Sequence, residues 1–396
     1  MVAQFAGAAV AGDSGEWSRQ GGESITNHRT HQSSTAQQKI SNFLYPGDLL
    51  DAATLPERFL EFCRRSIEGV RGDLLYAEPS LTSGLESRQC NDSEESTLYL
   101  SNIKEASIIP LLPVPSNRPV LAIDTSTIKL GELEDGSLCA LRGAVVMLEN
   151  NRYRYVRYGP LVFSLNNNLA IFQDFAKLGP RPLAGEPNID SLLKRVRNVL
   201  ERWLQFNVSQ SVANAFILID GSLTAGTPDN PCRELERILV TARRTRSMVI
   251  AISKKTRLRV HNRSITELLE QKSEPCLLNV DEEVTDQFPP YPVRFLGRVF
   301  VGKLARSGFQ FRMDVDREIP MQETIEGFSQ LTGTDIVDQG YPETLRMAHI
   351  LSTFTASDVL AIQAFAVAQF GVQLIPKIAL RRSLFGPFGT AWEAWH

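Results

Sequence analysis

The chain has 396 residues, of which 43% are hydrophobic and 22% charged, a composition typical of a soluble globular protein. Its formal net charge is −3, so the chain as a whole has no basic excess that attracts nucleic acid, and any such surface must be local. The five cysteines form no Cys-x-x-Cys pair, which argues against a disulfide framework or a zinc knuckle. They favour a reducing, cytoplasmic compartment. No apolar run approaches the roughly 20 residues of a membrane span.

Residues 1–102 are predicted to be an N-terminal extension of the main domain. Residues 1–40 are rich in Ser, Gln, Gly and Thr, which indicates disorder. Apolar residues at helical spacing follow within 47–76, and they predict a helical segment. A second polar stretch, 77–96, is predicted to be a flexible insert.

The main domain is predicted over residues 103–375, and it begins with a three-strand meander. The strands are predicted at 120–124, 137–148 and 153–164, with a hairpin turn at 149–152 between the second and the third. The first strand is predicted to end in a carboxylate, Asp124, followed by a turn.

An alternation of helices and strands follows the meander. The spacing of apolar residues predicts a helix over 189–206, a buried strand over 215–220 that ends in Asp220, a helix from 231 and a buried strand over 247–253. Two further strands are predicted at 293–304 and 308–315, and helices at 321–332 and 342–370. The order indicates an α/β fold with a mixed sheet and helices on both faces.

Acidic side chains form the first candidate site. Asp124 and Asp220 each follow an apolar strand, at the edge where open α/β sheets bind ligands. The alternative for each is a cap on the turn after its strand. Glu201 is the acid in the body of the helix at 189–206, although it can equally pair with Arg197 on the surface. Three carboxylates suit Mg²⁺ or Mn²⁺ rather than zinc, and two such ions can promote phosphodiester hydrolysis.

A basic stretch forms the second candidate site. Residues 233–259 contain nine basic residues and only two acidic ones. A solvated helix face accounts for the first part of this stretch. Lys254, Lys255 and Arg257 come directly after the strand at 247–253, and we expect them to contact phosphates.

A third motif joins Tyr341 and His349. Pro342 is well placed in the first turn of a helix, and the two side chains lie eight residues apart near one face of that helix or its cap. A histidine in such a position is more often structural than catalytic, so both interpretations stand at this point.

Taken in order, these motifs resemble the NurA nuclease family. The matching pieces are Ala-Ile-Asp124-Thr-Ser, Leu-Ile-Asp220-Gly-Ser-Leu, Ile-Ser-Lys254-Lys255-Thr-Arg, and Gly-Tyr341-Pro with His349 eight residues on. The resemblance implies an RNase H-like fold and a manganese-dependent active site, with magnesium as the alternative ion. It also implies 5′→3′ exonuclease and single-strand endonuclease activity on DNA, a homodimer, and a hexameric HerA-type ATPase as partner in DNA end processing.

The resemblance also assigns roles to individual residues. Asp124, Glu201 and Asp220 match the family's carboxylate ligands, Tyr341 and His349 match its C-terminal active-site pair with His349 as a further ligand, and Lys254 or Lys255 matches its basic position. The chain departs from the family at Thr125, where glycine is usual.

Two other classes of function remain open from the sequence. One is a catalytically silent RNase H-like module that binds DNA or scaffolds an ATPase. The other is a sugar or acetate kinase-like ATPase, for which residues 221–226 would have to be the phosphate loop. An aromatic C-terminal arm, 376–396, is predicted either to pack on its own domain or to dock on a partner.

Overall fold

The computed structural model describes residues 10–13, 57–77, 98–100, 103, 108–166, 189–227, 230–261, 263–287 and 293–376. The strands in these residues are β1 (Val10–Asp13), β2 (Leu74–Ala77), β3 (Leu98–Leu100), β4 (Ile108–Pro110), β5 (Val120–Leu133), β6 (Gly136–Glu149), β7 (Arg152–Leu165), β8 (Phe216–Asp220), β9 (Thr224–Ala225), β10 (Met248–Ser253), β11 (Leu258–Val260), β12 (Arg263–Ser264), β13 (Cys276–Asn279), β14 (Arg294–Phe295), β15 (Gly297–Lys303), β16 (Phe311–Asp316), β17 (Val337–Asp338), β18 (Tyr341–Pro342) and β19 (Gln373–Pro376). The helices are α1 (Glu57–Glu68), α2 (Ile189–Ser211), α3 (Cys232–Arg244), α4 (Asp281–Gln287), α5 (Met321–Thr334), α6 (Glu343–Ser352) and α7 (Ala356–Phe370), with a short 3₁₀ helix at Ile265–Leu269.

The described residues form a mixed twelve-stranded sheet whose main path is β1-β7-β6-β5-β8-β10-β16-β15-β13-β4. Strands β5, β6 and β7 form an antiparallel meander, whereas β8 runs parallel to β5 and β10 runs parallel to β8. The five strands β7-β6-β5-β8-β10 therefore have the order and directions of an RNase H-like sheet. The predicted fold class is confirmed.

The three meander strands are longer than predicted, with 14 residues each. Asn150 and Asn151 form the predicted hairpin turn, both with positive φ, as a two-residue turn of this hand requires. Strand β5 does not end at Asp124. It continues to Leu133 because Thr125–Ile128 are mostly β-branched and pair with β6. The prediction of a turn directly after Asp124 is therefore wrong.

Helices cover both faces of the sheet. On one face, α2 and α3 pack against Leu121 and Ile123 of β5 and against the alternate residues of β8. On the other face, α5 and α6 pack against Ala122 of β5 and Leu218 of β8. Successive side chains of a strand point to opposite faces. This alternation decides which helix each candidate site residue meets.

The single helix predicted over 342–370 is two helices, α6 and α7. Thr355 caps α7 with a reciprocal hydrogen-bond pair to Asp358, and this starts a new helix at Ala356, four positions after Ser352. The buried Arg142 of β6 secures the break, since its guanidinium donates to Asp358 and to the carbonyl of Thr353. Among the described residues, Glu343–Phe370 is the stretch long and apolar enough to cross a membrane. Its break and its buried residues make it part of the folded domain.

Parts of the N-terminal extension belong to the same sheet. Strand β1 pairs with β7 as an antiparallel edge strand, so the predicted disorder does not hold for these four residues. Strand β2 pairs with β5 and with β19. The rest of 1–40, the insert beyond Ala77 up to residue 96, and the C-terminal arm beyond Pro376 lie outside the described residues.

Candidate metal centre

Two aspartates meet where β5 and β8 run side by side. Ile123 is the register partner of Ile219, so the next residues along the two parallel strands are Asp124 and Asp220. Each lies two positions after a residue packed on the α5–α6 side, Ala122 and Leu218 respectively, so both carboxylates belong to that side of the sheet. The apolar runs that precede them place the two charges next to each other at the centre of the sheet.

Helix α6 adds an imidazole to these carboxylates. One ligand atom each from Asp124, Asp220 and His349 lies within 4.8 Å of the others. The Nδ1 atom of His349 is 3.0 Å from Oδ2 of Asp124 and 3.9 Å from Oδ2 of Asp220. The structure therefore brings together three of the four residues predicted to be metal ligands.

Ser352 is a site residue that the sequence analysis did not identify. Its hydroxyl donates a 2.6 Å hydrogen bond to Oδ2 of Asp124, the same oxygen that His349 approaches. Residues three apart on a helix share a face, so the position of Ser352 one turn after His349 was the available signal. The serine holds the orientation of the Asp124 carboxylate.

The two aspartates have pKa values shifted in opposite directions. Burial opposes ionisation of Asp124, yet hydrogen bonds from His349 and Ser352 keep the pKa of this carboxyl below its usual value. Burial and the nearby charge of Asp124 raise the pKa of Asp220, and Lys254 only partly compensates. Two adjacent carboxylates that repel each other are a favourable place for a multivalent cation.

The donor set fits a divalent ion. Carboxylate oxygens are hard ligands that Mg²⁺ and Mn²⁺ accept, and an imidazole nitrogen is a common ligand of first-row transition metals. Asp124, Asp220 and His349 would hold the ion, which leaves further coordination positions for water and substrate. Lys254 lies beside them, with Nζ 2.7 Å from Oδ2 of Asp220, and supplies a positive charge at the rim.

The structure does not bring Glu201 into this group. Thr125 points to the opposite face of β5 from Asp124, and there its hydroxyl donates a 3.0 Å hydrogen bond to Oε2 of Glu201. Gln205, one turn further along α2, donates to Oε1. A glycine at position 125 could not make this contact, so the threonine found here has a specific hydrogen-bond partner. The role of Glu201 as a ligand stays a prediction.

Tyr341 lies beside the carboxylates with an unused hydroxyl. The residue is 9% exposed, and among the described residues its oxygen has no hydrogen-bond partner. Burial, together with the charges of Asp220 and Asp124, raises the pKa of the phenol well above its usual value, so the group remains a donor. The ring packs edge-on against Phe311, and Lys254 lies 5.5 Å from its centre.

The basic stretch divides into two parts. On α3, Arg243 pairs at 2.6 Å with the buried Asp316, and Arg237 stacks over Phe206, so these arginines contribute to packing. Lys254, Lys255 and Arg257 follow β10, the strand next to β8, and their side chains are exposed. Lys254 contacts Asp220 of the metal centre directly, and the phosphate contacts of all three stay a prediction.

Asp335 anchors the helix that carries His349. Its carboxylate is buried and accepts hydrogen bonds from the backbone N–H of Thr344, at the start of α6, and from the hydroxyl of Tyr153 on β7. Burial raises the pKa of Asp335 to about 6, although the hydrogen bonds to its charged form oppose that shift.

The raised pKa predicts a measurable pH dependence of stability. The folded state binds the Asp335 proton more tightly than the unfolded state does, so this stabilisation is complete below pH 4 and is lost as the pH rises through 6. We expect the free energy of unfolding of the wild type to fall between pH 4 and 7, relative to that of Asp335→Asn, by up to about 3 kcal/mol. Urea unfolding at each pH measures it. Asp338→Asn, at an exposed neighbour, should retain the wild-type slope, and parallel curves for the wild type and Asp335→Asn would contradict the assignment.

No protein-family model matches the chain, and no curated protein matches it. Among solved structures, the fold is similar to that of the NurA nuclease from Sulfolobus solfataricus, with a TM-score of 0.41 and 16% sequence identity, over 65% of this chain and 87% of that chain.

Proposed function

We propose that the protein is a metal-dependent nuclease that hydrolyses phosphodiester bonds in DNA. The observation that carries the proposal is the convergence of Asp124, Asp220 and His349 within 4.8 Å at the centre of an RNase H-like sheet. Two carboxylates and an imidazole favour manganese over magnesium, because magnesium binds almost entirely through oxygen. When bound, the ion activates water and stabilises the charge that develops on the phosphate.

The chain's own residues contribute to this chemistry in three ways. Ser352 donates a hydrogen bond to Asp124 and so favours its charged form, which is the form that binds an ion. The hydroxyl of Tyr341, buried and without a partner among the described residues, is available to donate to a phosphate oxygen. The ammonium group of Lys254 lies at the rim beside Asp220, where it attracts the DNA backbone.

A cleavage assay tests the proposal. The protein is incubated with end-labelled single-stranded DNA in Mn²⁺, in Mg²⁺, and in either ion with an excess of chelator. We expect cleavage with Mn²⁺, slower cleavage with Mg²⁺, and none with chelator. Cleavage that persists in chelator would contradict the metal centre. Binding of DNA without cleavage in any ion would favour the catalytically silent module.

The lysines after β10 give a prediction about DNA affinity. Replacing Lys254 and Lys255 together with alanine should weaken DNA binding more at low salt than at high salt. Each lost phosphate contact lowers the slope of log K against log salt by about one. Fluorescence anisotropy at several salt concentrations measures the slope. The matched control is Arg64→Ala with Arg65→Ala, on the exposed face of α1, which should leave the slope unchanged. An unchanged slope in the lysine variant would show that these lysines do not contact DNA phosphates.

We also propose a direction of cleavage, a preferred form of DNA and two protein partners. The motifs that resemble the NurA family support 5′→3′ exonuclease and single-strand endonuclease activity in DNA end processing, together with a hexameric HerA-type ATPase and a homodimer. Exposed apolar side chains on α6 and α7, including Ile350, Leu360 and Val367, support self-association. Sedimentation of the full chain, alone and with such an ATPase, tests both partners.

A further inference from the structure

A cavity opens beside Asp220, on the side of the sheet that α2 covers, and most of the residues around it are polar or charged. Its volume is about 140 Å³, and its wall consists of α2, the end of β8 and the turn that follows it. The wall includes Lys194, Arg197 and Arg202 from α2, and Asn230 after the turn. This volume accommodates about ten water-sized atoms, which is enough for a phosphate group and part of an attached sugar.

The charge of the cavity wall is positive. Among the described residues, no carboxylate forms an ion pair with Lys194 or Arg202. The guanidinium of Arg202 donates only to neutral amide oxygens, 2.7 Å to Gln205 and 2.8 Å to Asn230. These two contacts fix the position of the guanidinium and leave its charge unneutralised by a direct partner.

The two acids of the wall already have hydrogen-bond donors. Glu201 accepts from Thr125 and Gln205, and Asp220 accepts from Lys254. Because Asp220 is already paired with Lys254, the charges of Lys194 and Arg202 exceed the remaining charge of Glu201, which disfavours a second metal ion in this cavity. An anion is the ligand that the wall favours, and a fixed guanidinium is well suited to phosphate oxygens.

We propose that this cavity, the α2 cavity, binds the phosphate group of a nucleotide, either at the end of a nucleic-acid strand or free in solution. Asp220, at the end of β8, contributes to the cavity wall, and its carboxylate belongs to the metal centre on the other face of the sheet, so the two sites adjoin at the end of this strand. The role in strand cleavage rests on the proposed function, whereas the binding of a nucleotide phosphate does not.

Binding measurements without a divalent ion test the proposal, because chelator removes any contribution from the metal centre. The probes are thymidine 5′-monophosphate, thymidine, and short oligothymidylates that carry a 5′-phosphate, a 3′-phosphate or only hydroxyl ends. We expect at least ten-fold tighter binding of phosphate-bearing probes than of their hydroxyl counterparts. Binding of the free monophosphate with no preference among the oligonucleotides would identify the free nucleotide as the occupant. Equal binding with and without phosphate, for nucleotide and oligonucleotide alike, would overturn the proposal.

Variants locate the effect in the cavity. Arg202→Gln should lose about ten-fold or more of the affinity for phosphate, and Lys194→Gln should lose less because its side chain is less fixed. Lys194→Gln disturbs no hydrogen bond among the described residues, so it remains informative if Arg202→Gln lowers the melting temperature. Arg65→Gln, which removes the same charge from α1, is the control and should bind as the wild type does. If neither cavity variant weakens phosphate binding, the α2 cavity is not the site.

The outcome is separable from that of the cleavage assay. Cleavage in Mn²⁺ without any phosphate preference would leave the nuclease proposal intact and reject the α2 cavity. Phosphate preference that depends on Arg202, without cleavage in any ion, would keep the cavity and reject the nuclease.

Discussion

Replacing Asp220 with asparagine is expected to lower the rate of Mn²⁺-dependent DNA cleavage by about a thousand-fold or more, while the protein remains folded. A catalytic metal ion contributes several kcal/mol to the stabilisation of the transition state, and each 1.4 kcal/mol is a factor of about ten in rate. Asparagine retains the size of the side chain but removes the charge that would hold the ion.

The same variant should not lose stability, and this separates the site from a structural role. The pKa of Asp220 is raised by burial and by the charge of Asp124, which means that the folded state disfavours its ionised form. Removing that charge relieves the repulsion, whereas the contact with Lys254 that it also weakens is partly exposed and of small value. We therefore expect a free energy of unfolding at pH 7 equal to or above that of the wild type.

The matched control is Glu270→Gln, which removes an exposed carboxylate outside the site and should change neither quantity. Initial rates on end-labelled DNA give the cleavage rate, and urea unfolding curves give the free energy of unfolding. Cleavage by Asp220→Asn at the wild-type rate would show that the metal centre has been assigned to the wrong residues.

Replacing Asp314 with alanine is expected to lower the free energy of unfolding by about 3–5 kcal/mol. Its carboxylate pairs at 2.9 Å with Arg312, and the side chains are 0% and 1% exposed. Loss of Asp314 removes a directly paired carboxylate from a buried guanidinium, which accounts for the size of the effect. The carboxylate also accepts a hydrogen bond from the backbone N–H of Leu223, in the turn that follows Asp220, so cleavage should fall as well.

Chemical denaturation measures this effect, with Glu274→Ala as the control. Glu274 pairs with Arg306 at 3.0 Å, a similar separation, but these side chains are 61% and 79% exposed, and a pair in water contributes about 0–1 kcal/mol. The double variant Arg312→Met with Asp314→Leu should recover much of the lost stability, because it removes both buried charges of the pair. Equal losses for the two single alanine variants would show that burial does not decide the value of the pair.

Sequence patterns predicted the sheet because its strands are continuous apolar segments with clear turn residues between them. Three features that depend on local chemistry have the predicted form. They are the apolar strand before Asp220, the helix predicted at 189–206 and the hairpin turn at Asn150 and Asn151. The resemblance to a known family added the strand order, which local patterns do not determine.

The parts that local patterns could not predict depend on contacts between distant residues. The extension of β5 beyond Asp124 is stabilised by pairing with β6, and the break at Thr353–Thr355 is secured by Arg142 from the same strand. The position of Glu201 follows from which face of β5 the helix α2 covers. The sequence shows that Glu201 is the acid in the body of this helix. It does not show that Thr125, and not Asp124, points towards that acid.

The separation of Asp124 and His349 along the chain has a consequence for biosynthesis. The two residues are 225 positions apart, and Ser352 is 228 positions from Asp124. A nascent chain that has emerged only as far as α5 contains both aspartates and neither the imidazole nor the serine. Assembly of the centre therefore waits for nearly the whole domain to leave the ribosome, and fragments released early by proteolysis or stalled translation lack it.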